Sequence, residues 1–276
     1  MSTPSHTSQT LAFIGGGNMA SAIIGGLIKQ GTPATRIVVV EPFEEARQRL
    51  QSQFGVRVLS QADATLTEAG LVVWAVKPQT FKEAAQQTYE FCKNALHLSV
   101  AAGIRSDSIA NWLGTERVVR AMPNTPALVG LGQTGLFARA AVTASDKAWI
   151  EQVVTTTGSL LWVDDEPLLD AVTALSGSGP AYVFFFIEAM VEAGVKMGLT
   201  ATQATQLAIG TFEGASQLAK TASEPPSVLR ERVTSKGGTT YAALTSMQNA
   251  HLGELFQAAL QAAQHRAHEL GNEFGA

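Results

Sequence analysis

Between the apolar run Leu11-Ala12-Phe13-Ile14 and a helical stretch that reaches Gln30 lie six residues, Gly15-Gly16-Gly17-Asn18-Met19-Ala20, spaced as G-x-G-x-x-A. In that setting Gly15 permits a tight turn, Gly17 lets a pyrophosphate approach the backbone, and Ala20 lets helix and strand pack closely. The free N–H groups and the dipole at the helix start attract phosphate oxygens. A Gly-rich turn also occurs in other α/β proteins, with S-adenosylmethionine enzymes the nearest rival, so a second residue has to discriminate. Glu41, which closes Ile37-Val38-Val39-Val40, is that residue. An acid there accepts hydrogen bonds from an adenosine ribose diol and favours NAD over NADP. The plain alternative is an exposed carboxylate near the start of the next helix, and Arg47 is available to a 2′-phosphate, so the choice of dinucleotide stays open.

Two later strand ends should border the same ligand, because ligands sit at the carboxyl ends of parallel strands near the switch point. They are Ala75-Val76-Lys77-Pro78 and Ala101-Ala102-Gly103. Pro78 cannot extend a ladder, Gly103 lets the backbone come close to a ring, and Lys77 is as readily a solvated loop charge as a site residue. Further on, Ser176-Gly177-Ser178-Gly179-Pro180-Ala181-Tyr182 reads as a tight loop entering a helix, and Thr234-Ser235-Lys236-Gly237-Gly238-Thr239-Thr240 as a second Gly- and hydroxyl-rich loop before one. The N–H groups of the second suit a small carboxylate, although each loop alone is also an ordinary helix connection. Ketone reduction needs a proton donor, and these motifs hold only Lys77 and Tyr182. Of the histidines, His6 lies in the tail, His97 borders a strand, His265 and His268 fall on an exposed terminal helix, and His251 alone stands near the second loop; the plain reading of each is a surface or capping residue.

The elements that must position these residues fall into two classes. From Leu11 to about Val163 short apolar runs alternate with longer amphipathic segments, which is the pattern of an α/β sheet. Strands are expected at Leu11-Ile14, Ile37-Val40, Val56-Leu59, Leu71-Val76, Leu96-Val100, Val118-Arg120, Gly135-Ala138 and Leu160-Val163, several of them apolar at nearly every position as a parallel sheet covered on both faces requires. After about Glu166 strand-like runs give way to Ala-, Leu- and Gln-rich helical stretches. The expected organisation is a doubly wound, Rossmann-like α/β domain over 8–166 followed by an all-α domain over 167–276. In the second, Val183, Phe184, Phe185, Phe186 and Ile187 are apolar all round a helix, which calls for burial between two subunits; the centre of a monomeric bundle is the alternative.

Composition narrows the function classes. A formal net charge of -4 with scattered Lys and Arg offers no field for nucleic acid. The single Cys92 cannot form an intrachain disulfide, and no Cys/His cluster has metal-ligand spacing, which fits a reducing, cytoplasmic compartment. Gly15 to Gly17 interrupt the one signal-like stretch, and Gly177, Gly179 and Pro180 interrupt Ala171 to Ile187, so neither export nor a membrane span is expected.

Taken together, the Gly15–Ala20 loop, Ala75-Val76-Lys77-Pro78-Gln79, Val119-Arg120-Ala121-Met122-Pro123-Asn124-Thr125-Pro126-Ala127, Asp170-Ala171-Val172-Thr173 through Tyr182, and Val233-Thr234-Ser235 through Thr240 resemble the pyrroline-5-carboxylate reductases over nearly the whole chain. The resemblance implies reduction of L-1-pyrroline-5-carboxylate to L-proline with NADPH, NADH being the alternative donor, in dimers that often assemble into decamers. It places the nicotinamide near Pro123 and Asn124, and the substrate beside Ser235, Gly237, Gly238, Thr239 and Thr240, with Glu166 from the partner chain or nearby. Two positions depart from the family pattern: Lys236 stands where Pro is common, and Ala62 where an Asn contacts the cofactor. A cyclic imine also answers the shortage of acids, since its ring nitrogen can arrive protonated and the protein has mainly to orient it. N–H groups around Gly238 and Thr239 would then hold the carboxylate, and the Thr240 hydroxyl the ring nitrogen. A β-hydroxyacid dehydrogenase would need a catalytic Lys just inside the helical domain, where none occurs before Lys196; a silent dinucleotide sensor would have no use for the two hydroxyl-rich loops.

Overall fold

The computed structural model describes residues 9–275. His6, expected in the tail, lies outside the described residues, and Thr10 opens the first strand. The sheet is built from β1 (Thr10–Ile14), β2 (Ile37–Val40), β3 (Arg57–Leu59), β4 (Ala69–Trp74), β5 (Leu96–Ser99), β6 (Val118–Met122), β7 (Gly132–Ala138) and β8 (Gly158–Trp162), in the order β3-β2-β1-β4-β5-β6-β7-β8. Neighbours are parallel except β6 and β7. All the expected strands form, with ends displaced by a few residues. The main displacement has a consequence for the site: β4 pairs with β1 only as far as Trp74 opposite Ile14, so Ala75 and Val76 belong to the following turn.

Alternation along the strands divides the core in two. Leu11, Phe13, Leu71 and Val73 point into one cluster, and Ala12, Ile14, Val72 and Trp74 into the other, as period-2 side chains must. The helices α1 (Asn18–Lys29), α2 (Glu44–Phe54), α3 (Pro78–Cys92), α4 (Ser106–Leu113) and α5 (Ala144–Val154) close both faces. Ile23, Ile24 and Leu27 of α1, Leu50 of α2 and Ile150 of α5 cover the first; Phe81 and Ala85 of α3 and Ile109 and Leu113 of α4 cover the second. The strand order reverses between β1 and β4, and the crevice at that switch point is where such sheets take ligands.

After β8 the chain is helical: α6 (Leu168–Val172), a π turn over Thr173–Gly177, α7 (Gly179–Lys196), α8 (Ala201–Thr221), α9 (Pro226–Arg232), α10 (Thr239–Asn249) and α11 (Leu252–Phe274). By packing the described residues form two compact units, 9–178 with 263–275, and Gly179–Ala262. In the second unit Gly194 of α7 lies against Ala204 of α8, close enough that a Cβ on it would come 2.9 Å from the alanine's. The apolar surface of α7 is left open: Phe184 is 61% and Phe185 65% exposed, and Met190 and Val195 are exposed with them. The Ala171–Ile187 run is interrupted where its glycines fall, by the π turn over Thr173–Gly177 and a bend at Ser178 before α7 begins; by length and composition alone Leu168–Lys196 is still apolar enough to cross a membrane. It carries Asp170, Glu188, Glu192 and Lys196.

His97, expected beside a strand, sits within β5 and is fully buried. Its Nδ1 accepts a hydrogen bond from Trp74 Nε1–H at 3.0 Å, which leaves the proton of the neutral ring on Nε2, where no partner meets it. Burial above all, and the charge of Arg117, hold its pKa down at about 3 from an ordinary 6.5. The unfolded chain therefore takes up a proton that the folded chain refuses. Stability is complete above pH 6.5 and falls as pH drops from there toward 3, by an amount on the order of 5 kcal/mol for a shift of this size. His97→Gln keeps an acceptor for Trp74 and removes the titration, so chemical denaturation between pH 7 and 4 should show a flatter pH dependence in the variant; equal slopes would remove His97 as the cause.

Candidate functional site

The crevice at the switch point is built by one close approach. Gly15 has φ of 94° and lies so near the end of β4 that a Cβ on it would be 2.7 Å from the Ala75 carbonyl oxygen and 3.0 Å from Val76 Cγ1. Only glycine fits both the angle and the distance. Its N–H donates to the Val40 carbonyl at 2.8 Å, and Ala75 N–H donates to the Ile14 carbonyl at 2.8 Å, so β1, β2 and β4 hold the turn together. Helix α1 starts directly afterwards, with Gly17 as its N-cap and no side chain capping it. The N–H groups of Asn18, Met19 and Ala20 thus have no partner within the helix, and Ala20 is buried against the sheet. A Cβ on Gly17 would meet nothing within 4 Å. Sterics inside the chain therefore do not require glycine here. An open surface beside uncapped N–H groups does suit a phosphate, and these residues fit a dinucleotide diphosphate.

Gly16 has a different task. Its N–H donates to Glu41 Oε2 at 2.8 Å, while Phe43 N–H donates to Glu41 Oε1 at 3.0 Å. The alternative of an exposed carboxylate at Glu41 is thereby excluded: two main-chain donors turn the side chain back over the glycine loop, and it is 7% exposed. Arg47 does not pair with this carboxylate; it donates to the Glu41 and Pro42 carbonyls at 2.9 and 2.6 Å. Beyond β4, exposed Lys77 is the N-cap of α3 and Pro78 its first residue, where the missing N–H costs nothing. Ala101 is buried and Ala102 exposed after β5. Gly103, φ 71°, allows a close approach, and the structure shows what approaches: Leu270 and Phe274 of α11. Ala62 packs at the edge of the second core cluster.

The residues expected farther along the sheet are engaged by the chain itself. Asn124 is buried; its Nδ2 donates to the Ser176 carbonyl at 3.1 Å and its Oδ1 accepts from Gln133 N–H at 2.8 Å, with half-buried Pro123 beside it. This ties the turn after β6 to the π turn, where Gly177 lies so close to Met122 that a Cβ would come 2.5 Å from its Cε. Single π turns inside helices recur at functional sites. Glu166 Oε1 accepts from Arg120 Nη1 and from Ser106 N–H, and Oε2 from Ser106 Oγ, each at 2.6 Å. Three of the carboxylate's roughly four acceptor positions are filled in this way. The partners Ser106 and Arg120 were missed as a pair, although a signal existed: a cation inside the apolar strand Val118-Val119-Arg120 needs a counter-charge nearby.

In the second unit the loop before α10 is exposed at Ser235, Lys236, Gly237, Thr239 and Thr240. Gly237 takes φ of 75°, and Gly238 N–H donates to the Ser235 carbonyl at 3.0 Å. The expectation that Gly238 N–H serves a ligand is corrected by that turn. The donors left are those of Thr239 and Thr240, in the first turn of a helix with no side-chain cap. Tyr182 stacks edge-on against Phe256 with centroids 5.8 Å apart. His251, expected near this loop, stands instead at the other end of α10, roughly 16 Å away for a helix of that length, and pairs with Glu254 at 3.0 Å. Exposed His265 and His268 pair with Glu269 and Asp170. Cys92 is buried, its thiol pushed up to about 12 by desolvation, and is no nucleophile.

Comparison with known proteins finds two matching regions. The family model described as pyrroline-5-carboxylate reductase dimerisation matches residues 166–270, and one described as NADP oxidoreductase, coenzyme F420-dependent, matches residues 10–103. The chain is 44% identical to a pyrroline-5-carboxylate reductase of Pseudomonas aeruginosa over 100% of both chains, and 38% identical to that of Pisum sativum over 95% of this chain and 96% of the other. The solved reductase of Coxiella burnetii superposes with a TM-score of 0.90 at 38% identity, covering 95% of this chain and 98% of that one. The Plasmodium falciparum pyrroline carboxylate reductase with NADP bound gives 0.85 at 26%, covering 96% and 99%.

The open surface at Gly17 gives a prediction that separates folding from binding. Gly17→Ala adds a methyl that touches nothing in the chain, so its melting temperature should stay within about 2 °C of the parent. The same methyl stands where a diphosphate must approach the backbone, so calorimetric affinity for the dinucleotide should fall about tenfold or more. Undiminished affinity would move the phosphates elsewhere.

Proposed function

The chain belongs to the pyrroline-5-carboxylate reductase family, and we propose on that premise that it reduces the C=N bond of L-1-pyrroline-5-carboxylate to give L-proline, the last step of proline synthesis. The observation that carries this is the 44% identity over the whole chain, sheet and helices alike, so that both halves of the likeness point to one reaction. When bound, a reduced nicotinamide dinucleotide, NADPH or NADH, supplies a hydride for the imine carbon and leaves in its oxidised form.

The chain's own residues bind and orient. Asn18, Met19 and Ala20 present uncapped N–H groups to the diphosphate, and Gly15, Gly16 and Gly17 admit it. Glu41 faces the adenosine ribose. Ala75, Val76, Lys77 and Pro78, with Ala101, Ala102 and Gly103, form the strand ends along which the rest of the dinucleotide lies. Pro123 borders the nicotinamide. Asn124, with both ends of its amide engaged, supports that border from behind. Glu166, held by Arg120 and Ser106, keeps one acceptor position for the substrate side.

Ser235, Gly237, Gly238 and Thr239 shape the substrate loop, the Thr239 and Thr240 N–H groups hold the carboxylate, and the Thr240 hydroxyl meets the ring nitrogen. The nitrogen arrives protonated, so hydride addition to carbon gives the neutral amine without a further proton. This accounts for a site with no histidine: the described histidines are either buried at Trp74 or exposed in ion pairs. A ketone would leave an alkoxide in need of an acid. The substrate and dimerisation part begins at about residue 167. Phe184 and Phe185 are covered by a second copy of the chain, and the apolar Leu168–Lys196 stretch serves that contact instead of a lipid bilayer. A reducing cytoplasm suits the single buried Cys92.

The reaction is tested by mixing purified protein with pyrroline-5-carboxylate and NADPH or NADH, following nicotinamide absorbance and identifying the product by chromatography. Proline should appear in step with oxidation of the dinucleotide; a bound dinucleotide that no imine oxidises would reject the reaction. Thr240→Ala should lower kcat/KM about tenfold or more through the lost hydrogen bond, whereas Thr240→Ser should keep most of it. Equal loss in both variants would take the hydroxyl out of the mechanism.

A further inference from the structure

We propose that Asn124 is a positioning residue for hydride transfer: its amide ties the turn that borders the nicotinamide to the Ser176 carbonyl, which Pro180 leaves without a helical donor, and the tie holds Pro123 against the ring. The inference rests on the reaction proposed above and deepens it.

Three observations converge on the tie. First, the Ser176 carbonyl is set free by the sequence. In a helix it would accept from the N–H of the residue four places on, and that residue is Pro180, which has none. The π turn directs its own donors elsewhere, Ser178 N–H to the Thr173 carbonyl at 2.8 Å and Ser176 Oγ to the Val172 carbonyl at 3.2 Å. Asn124 Nδ2 answers the carbonyl from 52 positions away. Second, Asn124 forgoes a nearer use. It is the N-cap of the short helical turn Thr125–Val129, where the oxygen of an Asn side chain ordinarily accepts from its own helix, yet no side-chain cap forms. That oxygen goes instead to Gln133 N–H in β7.

Third, alternate residues of extended backbone face opposite ways, and Asn124 is extended, with φ of -130° and ψ of 167°. Met122 lies against Gly177 and Asn124 reaches Ser176, so both side chains turn to the π turn and Pro123 between them faces away from it. The residue that borders the nicotinamide is thus held from the rear at both of its neighbours. The diphosphate relies on other donors, at the start of α1. Losing the tie therefore displaces the ring without loosening the grip on the dinucleotide, and a misplacement on the order of 1 Å can cost about a hundredfold in rate.

Asn124→Asp keeps an acceptor for Gln133 N–H and, when ionised, loses the donor to Ser176. At about pH 8 its kcat should fall about tenfold or more, while the NADPH dissociation constant from fluorescence titration stays within about twofold of the parent's. A carboxyl buried beside a carbonyl has its pKa raised above the ordinary ~3.9, so as pH falls toward about 5 it takes up a proton whose O–H can donate to Ser176, and the ratio of variant to parent kcat should climb. Asn124→Ser brings no charge and should lose kcat without that climb. Adding Pro180→Ala to either variant gives the Ser176 carbonyl a helical N–H; the melting temperature should recover while kcat stays low, because the carbonyl is satisfied but the turn is still untied. Parent kcat in a folded variant, an equal loss of affinity, a flat ratio for Asn124→Asp, or kcat that recovers together with stability would each overturn the proposal, as would failure of both single variants to fold. If the parent binds NADPH but reduces no imine, the reaction is rejected, and the emission of bound NADPH reads the surroundings of the ring by itself: a difference between the parent and Asn124→Ser would uphold the tie, and identical emission would overturn it. If no dinucleotide binds, both readings fail.

Discussion

Gly15 and the Ala75 carbonyl come closer than any side chain would allow, and the geometry of the first unit follows from that approach. The approach is possible because β1 lies between β2 and β4, so the turn leaving β1 rests on the end of a strand that is far away in sequence. From there α1 departs with uncapped N–H groups directed at the crevice. The following residue, Gly16, fits beneath Leu50 of α2, where a Cβ would come 2.5 Å from its Cδ1, and donates its N–H to Glu41. Substitution at this turn would displace the helix, the acid and the second strand end together, which is why backbone and not side-chain chemistry dominates the site.

Around that turn charged groups are held by the chain's own donors. Glu41 is gripped by two amide N–H groups, and Glu166 by Arg120 and Ser106. Bracing of this kind fixes the position of each carboxylate. It also limits what each carboxylate can add, since only the lone pairs left over are available to a ligand. The same holds for Asn124, whose amide is fully engaged and whose service is to stiffen the turn beside Pro123.

The helical unit follows a different rule. Its small residues, Gly194 and Ala204, permit close helix packing, while its large ones, Phe184 and Phe185, face outward. An apolar helix surface of this size in water is unfavourable for a lone subunit and favourable for a pair. Burial between copies accounts for an apolar stretch whose length and hydropathy alone resemble those of a membrane span.

Much of this was legible in the sequence. The strands, the glycine loop and the change of texture near Glu166 were read from local periodicity, which depends only on residues a few positions apart. The family motifs fixed the reaction because they name residue types that one chemistry requires. What the sequence left open were pairings across distance: that Gly16 would donate to an acid 25 positions away, that Arg120 would meet Glu166, and that His97 would be walled in beside Trp74. It also misjudged direction along a helix, placing His251 near a loop from which the length of α10 separates it, and gave Gly238 N–H to a ligand when a turn claims it. Residue types and spacing by themselves determined the fold class and the kind of ligand, because both are encoded in short-range pattern. Only the tertiary structure decided which donors remain free and which charges are already answered, because hydrogen bonds between distant strands and helices exist only once the sheet has brought their ends together.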